Sequence, residues 1–169
     1  DASDELELDG QELELLSLEI DGRVLKESEF RLSDDSLHIL SCPALFQLRV
    51  RTRIRPQENT ALEGLYKSRT MFCTQCEAEG FRKITYYLDR PDVMSVFSVR
   101  VTADRDAYPI LLSNGNKVDE GEEAGRHWSV WEDPFPKPSY LFALVAGDLA
   151  CVADSFRTCS GREVDLRIY

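Results

Sequence analysis

The stretch Phe46-Gln47-Leu48-Arg49-Val50-Arg51-Thr52-Arg53-Ile54-Arg55 decides the fold class. Phe46, Leu48, Val50, Thr52 and Ile54 alternate with Gln47 and four arginines. A period of two is what a β-strand with one dry and one wet, basic face requires. On the N-terminal side, Leu6, Leu8, Leu13, Leu15, Leu18 and Ile20 fall mostly two apart, interrupted at Asp9-Gly10, and Leu37-His38-Ile39-Leu40 is a further apolar run. Asp21-Gly22 then precedes Arg23-Val24-Leu25, and Asp-Gly between such runs is the strongest short-range hairpin signal. On the C-terminal side, Phe97, Val99 and Val101 alternate with polar residues, and Ile110-Leu111-Leu112 runs into Ser113-Asn114-Gly115-Asn116. Trp128, Val130 and Trp131 lead to the Pro134/Pro136/Pro138 cluster, and Val164, Leu166 and Ile168 alternate again. Leu141 to Ala146 is continuously apolar, as a strand buried on both faces would be. The pattern predicts roughly nine strands and no amphipathic helix, with a single helical turn near Glu77 to Phe81. The expected architecture is all-β, antiparallel and sandwich-like, in packed or strongly twisted sheets.

The chain of 169 residues is sized for one domain. Its 20 Lys and Arg against 31 Asp and Glu give a net charge of −11, and no basic stripe offsets it. The summed field repels nucleic acid and anionic membrane and favours cationic or amine-bearing partners. No apolar run approaches the ~18 residues that span a bilayer. Five cysteines at irregular spacing in a chain large enough to need no staples point to free thiols and a cytoplasmic location.

Few residues form a constellation able to carry chemistry. Cys73-Thr74-Gln75-Cys76 has the spacing of half a zinc ribbon, yet Cys151 and Cys159 lie eight apart with no histidine beside them, so the pair reads as packed side chains. His38 and His127 belong to no local triad or metal motif and read as structural. The arginine face reads as a solvated sheet surface, offset by Asp119, Glu120, Glu122 and Glu123. The segment around Glu77 differs, because Gln75, Glu77, Glu79 and Arg82 crowd into eight residues beside Cys73, Cys76 and Phe81. Carboxylates and an amide carbonyl there can receive an ammonium group, although a solvated loop is the ordinary reading of such a segment.

The runs Thr74-Gln75-Cys76-Glu77-Ala78-Glu79-Gly80-Phe81-Arg82 and Ile84-Thr85-Tyr86-Tyr87-Leu88-Asp89-Arg90-Pro91-Asp92 resemble the N-terminal domain of the aminopeptidase N family of zinc metalloaminopeptidases, in its bacterial cytosolic branch. The resemblance continues through Asn59 to Tyr66, Leu111 to Asn116, Asp133 to Pro138 and Tyr140 to Gly147, and it spans about Leu8 to Tyr169. It implies a twisted, saddle-shaped antiparallel β domain, residues 1–169 being a single N-terminal piece of a longer enzyme that is cut at both ends. The family's catalytic domain supplies H-E-x-x-H and G-A-M-E-N motifs, and neither occurs here. The resemblance therefore implies zinc in the full-length enzyme and none bound by this piece, with no catalytic residue here. Its partners would be its own catalytic domain and a peptide with a free N-terminus. The family's Gln-x-Glu position matches Gln75 and Glu77, which the resemblance makes substrate-binding: Glu77 would hold the α-amine while Gln75 lines the pocket. Family members also carry one or two strands before the equivalent of Leu6, which bears on the first sheet edge. The alternative expectation is a stand-alone β-sandwich module that binds a protein or glycan by its exposed face.

Overall fold

The computed structural model describes residues 4–169, so residues 1–3 of the expected domain lie outside the described residues. The first eight strands are β1 (Asp4–Asp9), β2 (Glu14–Ile20), β3 (Arg23–Val24), β4 (Phe30–Leu32), β5 (Ser36–Cys42), β6 (Leu48–Arg53), β7 (Gly64–Ser68) and β8 (Met71–Gln75). The remainder are β9 (Ser95–Asp104), β10 (Ile110–Ser113), β11 (Asn116–Glu123), β12 (Arg126–Lys137), β13 (Leu144–Gly147), β14 (Val152–Arg157) and β15 (Glu163–Ile168). They form five antiparallel sheets, ordered β1-β5-β4, β3-β2-β6, β10-β13-β8-β7, β11-β12-β9 and β14-β15.

Alternation sorts each strand into a wet and a dry face, and the dry faces make two cores. Leu8, Leu37 and Ile39 from the first sheet meet Leu18 and Ile20 from the second, with Leu25, Cys42 and Tyr86 closing that core. Val101, Leu111 and Ala146 form the other, flanked by Phe72, Val99, Tyr108 and Leu144. Between them sits the connection from β8 to β9, whose Phe81 packs edge-on against Tyr87 at 4.9 Å and Phe142 at 5.1 Å. Edge-to-face contact sets the positive ring edge on the negative ring face, so this cluster is directional as well as apolar.

The all-β, sandwich-like expectation holds, and Asp21-Gly22 is the two-residue hairpin turn between β2 and β3, with φ of 50° and 79°. Positive φ at both positions is the type I′ requirement. Fifteen strands among the described residues replace the roughly nine expected by periodicity. The extra ones include β4 and the acidic β11, which are too short or too exposed to show an apolar rhythm. Leu141 to Ala146 is not one buried strand. Ser139–Leu141 is a 3₁₀ turn with Leu141 half exposed, Phe142 turns into the aromatic cluster, and only Leu144–Gly147 pairs, because Pro138 sets the backbone before it. The arginine face is offset by different carboxylates from those expected. Arg53 meets Glu14 at 3.0 Å and Arg49 meets Glu19 at 3.4 Å, directly across the β2–β6 ladder.

Candidate functional site

The strand β8 ends at Gln75, and its alternation carries one residue further. Gln75 and Glu77 are exposed while Cys76 between them is 2% exposed. The Gln75 amide Nε2 donates to the Glu77 carbonyl oxygen at 3.2 Å, which joins the two expected site residues at one tip. The peptide bond between Glu77 and Ala78 is cis. The chain then folds back, and the Gly80 N–H donates to the Cys76 carbonyl at 2.9 Å. A Cβ at Gly80 would lie 2.4 Å from the Gln75 carbonyl oxygen and 2.9 Å from the Gly64 nitrogen, both backbone atoms, so only glycine closes this turn against β7.

Beneath the tip lies a buried polar base. Phe81–Lys83 forms a 3₁₀ turn, and the Arg82 guanidinium donates from Nε to Asp89 Oδ2 and from Nη2 to the Asp89 carbonyl, each at 3.0 Å. The Arg82 backbone N–H reaches the same Oδ2 at 3.1 Å, and the buried Ser139 hydroxyl donates to Oδ1. Asp9 joins from β1, accepting the Asp89 N–H at 3.0 Å, and exchanges backbone hydrogen bonds with Tyr87 at 2.8 and 3.0 Å. Every oxygen of the buried Asp89 carboxylate is therefore satisfied, which is the condition for burying a charge.

The electrostatics of this base follow from its packing. Burial acts to lower the Arg82 pKa, but the Asp89 hydrogen bond and the charges of Asp9, Glu79 and Asp89 outweigh it and leave the group above its ordinary value. Burial, helped by the charge on Asp89, pushes the Cys76 thiol up to about 12. A thiol so firmly protonated is a poor nucleophile and a poor metal ligand. Among the described residues no group of three or more His, Cys, Asp and Glu side chains is placed to hold a metal ion, so these residues do not fit the zinc that the resemblance implies for the longer enzyme. His38 Nδ1 faces Glu5 at 3.2 Å, and His127 Nε2 contacts the Tyr108 carbonyl at 2.7 Å.

The two carboxylates nearest the tip differ. Glu79 lies 3.4 Å from Arg82 Nη1. Among the described residues the Glu77 carboxylate has neither hydrogen-bond nor ion-pair partner, which leaves its acceptor sites open to an incoming cation. Asp9, Gly80, Asp89 and Ser139 were not singled out by the sequence as part of this site. Asp89-Arg90-Pro91-Asp92 signals a turn, but its partner Ser139 lies 50 positions away.

The profile of the peptidase M1 N-terminal domain family matches residues 4–141. Aminopeptidase N of Escherichia coli strain K12 is 54% identical over 165 residues, which cover 97% of this chain and 19% of that protein. Aminopeptidase N of Caulobacter vibrioides is 56% identical over 165 residues, again 97% of this chain and 19% of that protein. The crystal structure of Legionella pneumophila aminopeptidase A in complex with aspartic acid superposes with a TM-score of 0.92 at 39% identity, over 99% of this chain and 20% of that one. The chain thus spans about a fifth of the length of the relatives it matches.

Proposed function

Since the chain belongs to the peptidase M1 N-terminal domain family, we propose that it is the substrate-recognition domain of a zinc aminopeptidase that removes residues from peptide N-termini. In this reading residues 1–169 are one β domain of a longer protein, and the zinc and the bond-breaking groups belong to the remainder of the enzyme. The α-ammonium of the substrate is held by Glu77, with Gln75 beside it. The observation that carries this is the free Glu77 carboxylate standing on a fully satisfied base, where Arg82 is committed to Asp89, Asp9 and Glu79. A charge-assisted hydrogen bond from an ammonium group gains most where no internal cation competes for the carboxylate. Recognition of a free amine also explains exopeptidase selectivity, because a blocked or internal peptide bond would leave Glu77 desolvated and unpaired. A cytoplasmic location fits the five cysteines, all unbridged.

The test is steady-state kinetics of the full-length enzyme with Glu77→Gln, which keeps the shape and removes the charge. A hydrogen bond to a charged group contributes about 1.5–3 kcal/mol, so kcat/KM for a free-amine substrate should fall roughly 10–150-fold. Glu79→Gln is the control and should change the rate far less. Equal losses in the two variants would mean a diffuse field effect, and an unaffected Glu77 variant would mean that the residue does not touch substrate.

A further inference from the structure

A cavity of about 580 Å³ is bounded by β10, β11, β12 and β15, and its wall includes neither Gln75 nor Glu77. Its volume is within the roughly 300–1,000 Å³ of small-molecule sites. The wall from β12 is aromatic. The Trp131 indole N–H donates to the buried Ser129 hydroxyl at 2.9 Å, and Trp128 lines the cavity with it. An indole held in one orientation offers a preformed stacking surface at little entropic cost. The wall from β15 is charged. Strand alternation turns Asp165 and Arg167 into the cavity and Leu166 and Ile168 out of it, where they are 43% and 72% exposed. Burial of apolar area alone would choose the reverse. Lys117 and Glu120 in the same wall neutralise each other at 2.7 Å. Asp165 and Arg167 have no hydrogen-bond or ion-pair partner among the described residues, and they do not pair with each other although they share one face of the strand.

We propose that this cavity is a binding site for a free α-amino acid with an aromatic side chain. Such a molecule carries an ammonium and a carboxylate on one carbon and a ring on a third bond. The Arg167 guanidinium donates to the carboxylate, for which its planar fork is shaped, and Asp165 accepts from the ammonium. The ring lies against Trp131. A ligand with one charge would satisfy one of the two residues and be repelled by the other, and the net charge of −11 disfavours a simple anion further. A neutral aromatic molecule would leave both charges unused. Aromatic amino acids are among the products of an enzyme that removes residues from peptide N-termini. That origin of the ligand rests on the function proposed above, and the recognition chemistry does not.

The experiment uses the full-length protein and p-benzoyl-L-phenylalanine, an aromatic amino acid whose ketone cross-links on illumination. Attachment points are read by peptide mass spectrometry at subsaturating probe. Label should fall on the peptides that carry Trp128, Trp131 and Arg167, and L-phenylalanine should suppress it. Phenethylamine lacks the carboxylate and 3-phenylpropionate lacks the amine. Each should need a roughly tenfold higher concentration, or more, for the same protection, the equivalent of one lost charge-assisted hydrogen bond. Arg167→Gln and Asp165→Asn, both at exposed positions, should each lower the labelling by a similar factor. No label on these peptides, equal protection by the three competitors, or either variant labelled like the parent would overturn the proposal. The competition needs no variant, so it decides even where a variant misfolds. Glu77→Gln should leave this label unchanged, and its loss there would overturn the proposal by moving the ligand to the tip. Amine recognition is read separately through kcat/KM of the same variant, so an unaffected rate with the label retained would sink that reading alone.

Discussion

At the scale of the residue, Glu77 and Glu79 lie two positions apart and differ in what surrounds them. Glu79 faces Arg82 at 3.4 Å while its own side chain is 69% exposed, and a pair whose carboxylate stands in solvent is worth about 0–1 kcal/mol, so Glu79→Gln should leave both stability and rate nearly unchanged. Cys76 between the tip residues gives a prediction of its own. The unfolded thiol titrates near 9.0 and the folded one at about 12, so between those values the unfolded chain has released a proton that the folded chain retains. Stability is therefore fully present below pH 9 and is lost as pH rises toward 12, at up to about 1.4 kcal/mol per pH unit for one group. Burial raises Cys42 and Tyr86 as well, and these act in the same direction. The Tm measured from pH 8 to 11 should fall more steeply in the parent than in Cys76→Ala, and parallel curves would contradict the assignment to Cys76.

At the scale of the element, the connection from β8 to β9 is held by contacts that can be broken one at a time. Gly80→Ala forces a methyl group against two backbone atoms and should cost about 1–3 kcal/mol, the usual penalty of overpacking. Asp89→Ala leaves the Arg82 guanidinium without its main partner and should cost about 3–5 kcal/mol, toward the lower end because Asp9 and Glu79 remain. Urea midpoints of the two variants against the parent, at constant m, check both figures. The strands that bury one face were legible in the sequence, since β6 and β9 alternate cleanly and Asp21-Gly22 marks its turn. Strands β4 and β11 were not, because β4 is three residues long and β11 is exposed nearly throughout, so register with a neighbour and not apolar rhythm defines them. Gln75 and Glu77 were reached through resemblance, and the ion pairs below them were invisible because Asp9, Asp89 and Ser139 come together only through the fold.

At the scale of the whole molecule, two cores and an aromatic junction carry an exposed tip on which the Glu77 carboxylate stands. No helix among the described residues is long and apolar enough to cross a membrane. Residues 1–169 prepared alone should hydrolyse no aminoacyl reporter substrate, because a hydrolytic metal needs at least three protein ligands brought together. Turnover by the purified isolated domain that chelation abolishes and added zinc restores would contradict this. The central claim is that Glu77 contacts the substrate's amine, and a double-mutant cycle on the full-length enzyme isolates that contact. The measurement is the inhibition constant of an amino-acid hydroxamate and of its des-amino analogue, each against the parent and against Glu77→Gln. Removing the amine should weaken binding to the parent by roughly 10–150-fold, the equivalent of one charge-assisted hydrogen bond, and should scarcely change binding to the variant. An equal loss in parent and variant would show that the amine is held elsewhere, and the claim would fall.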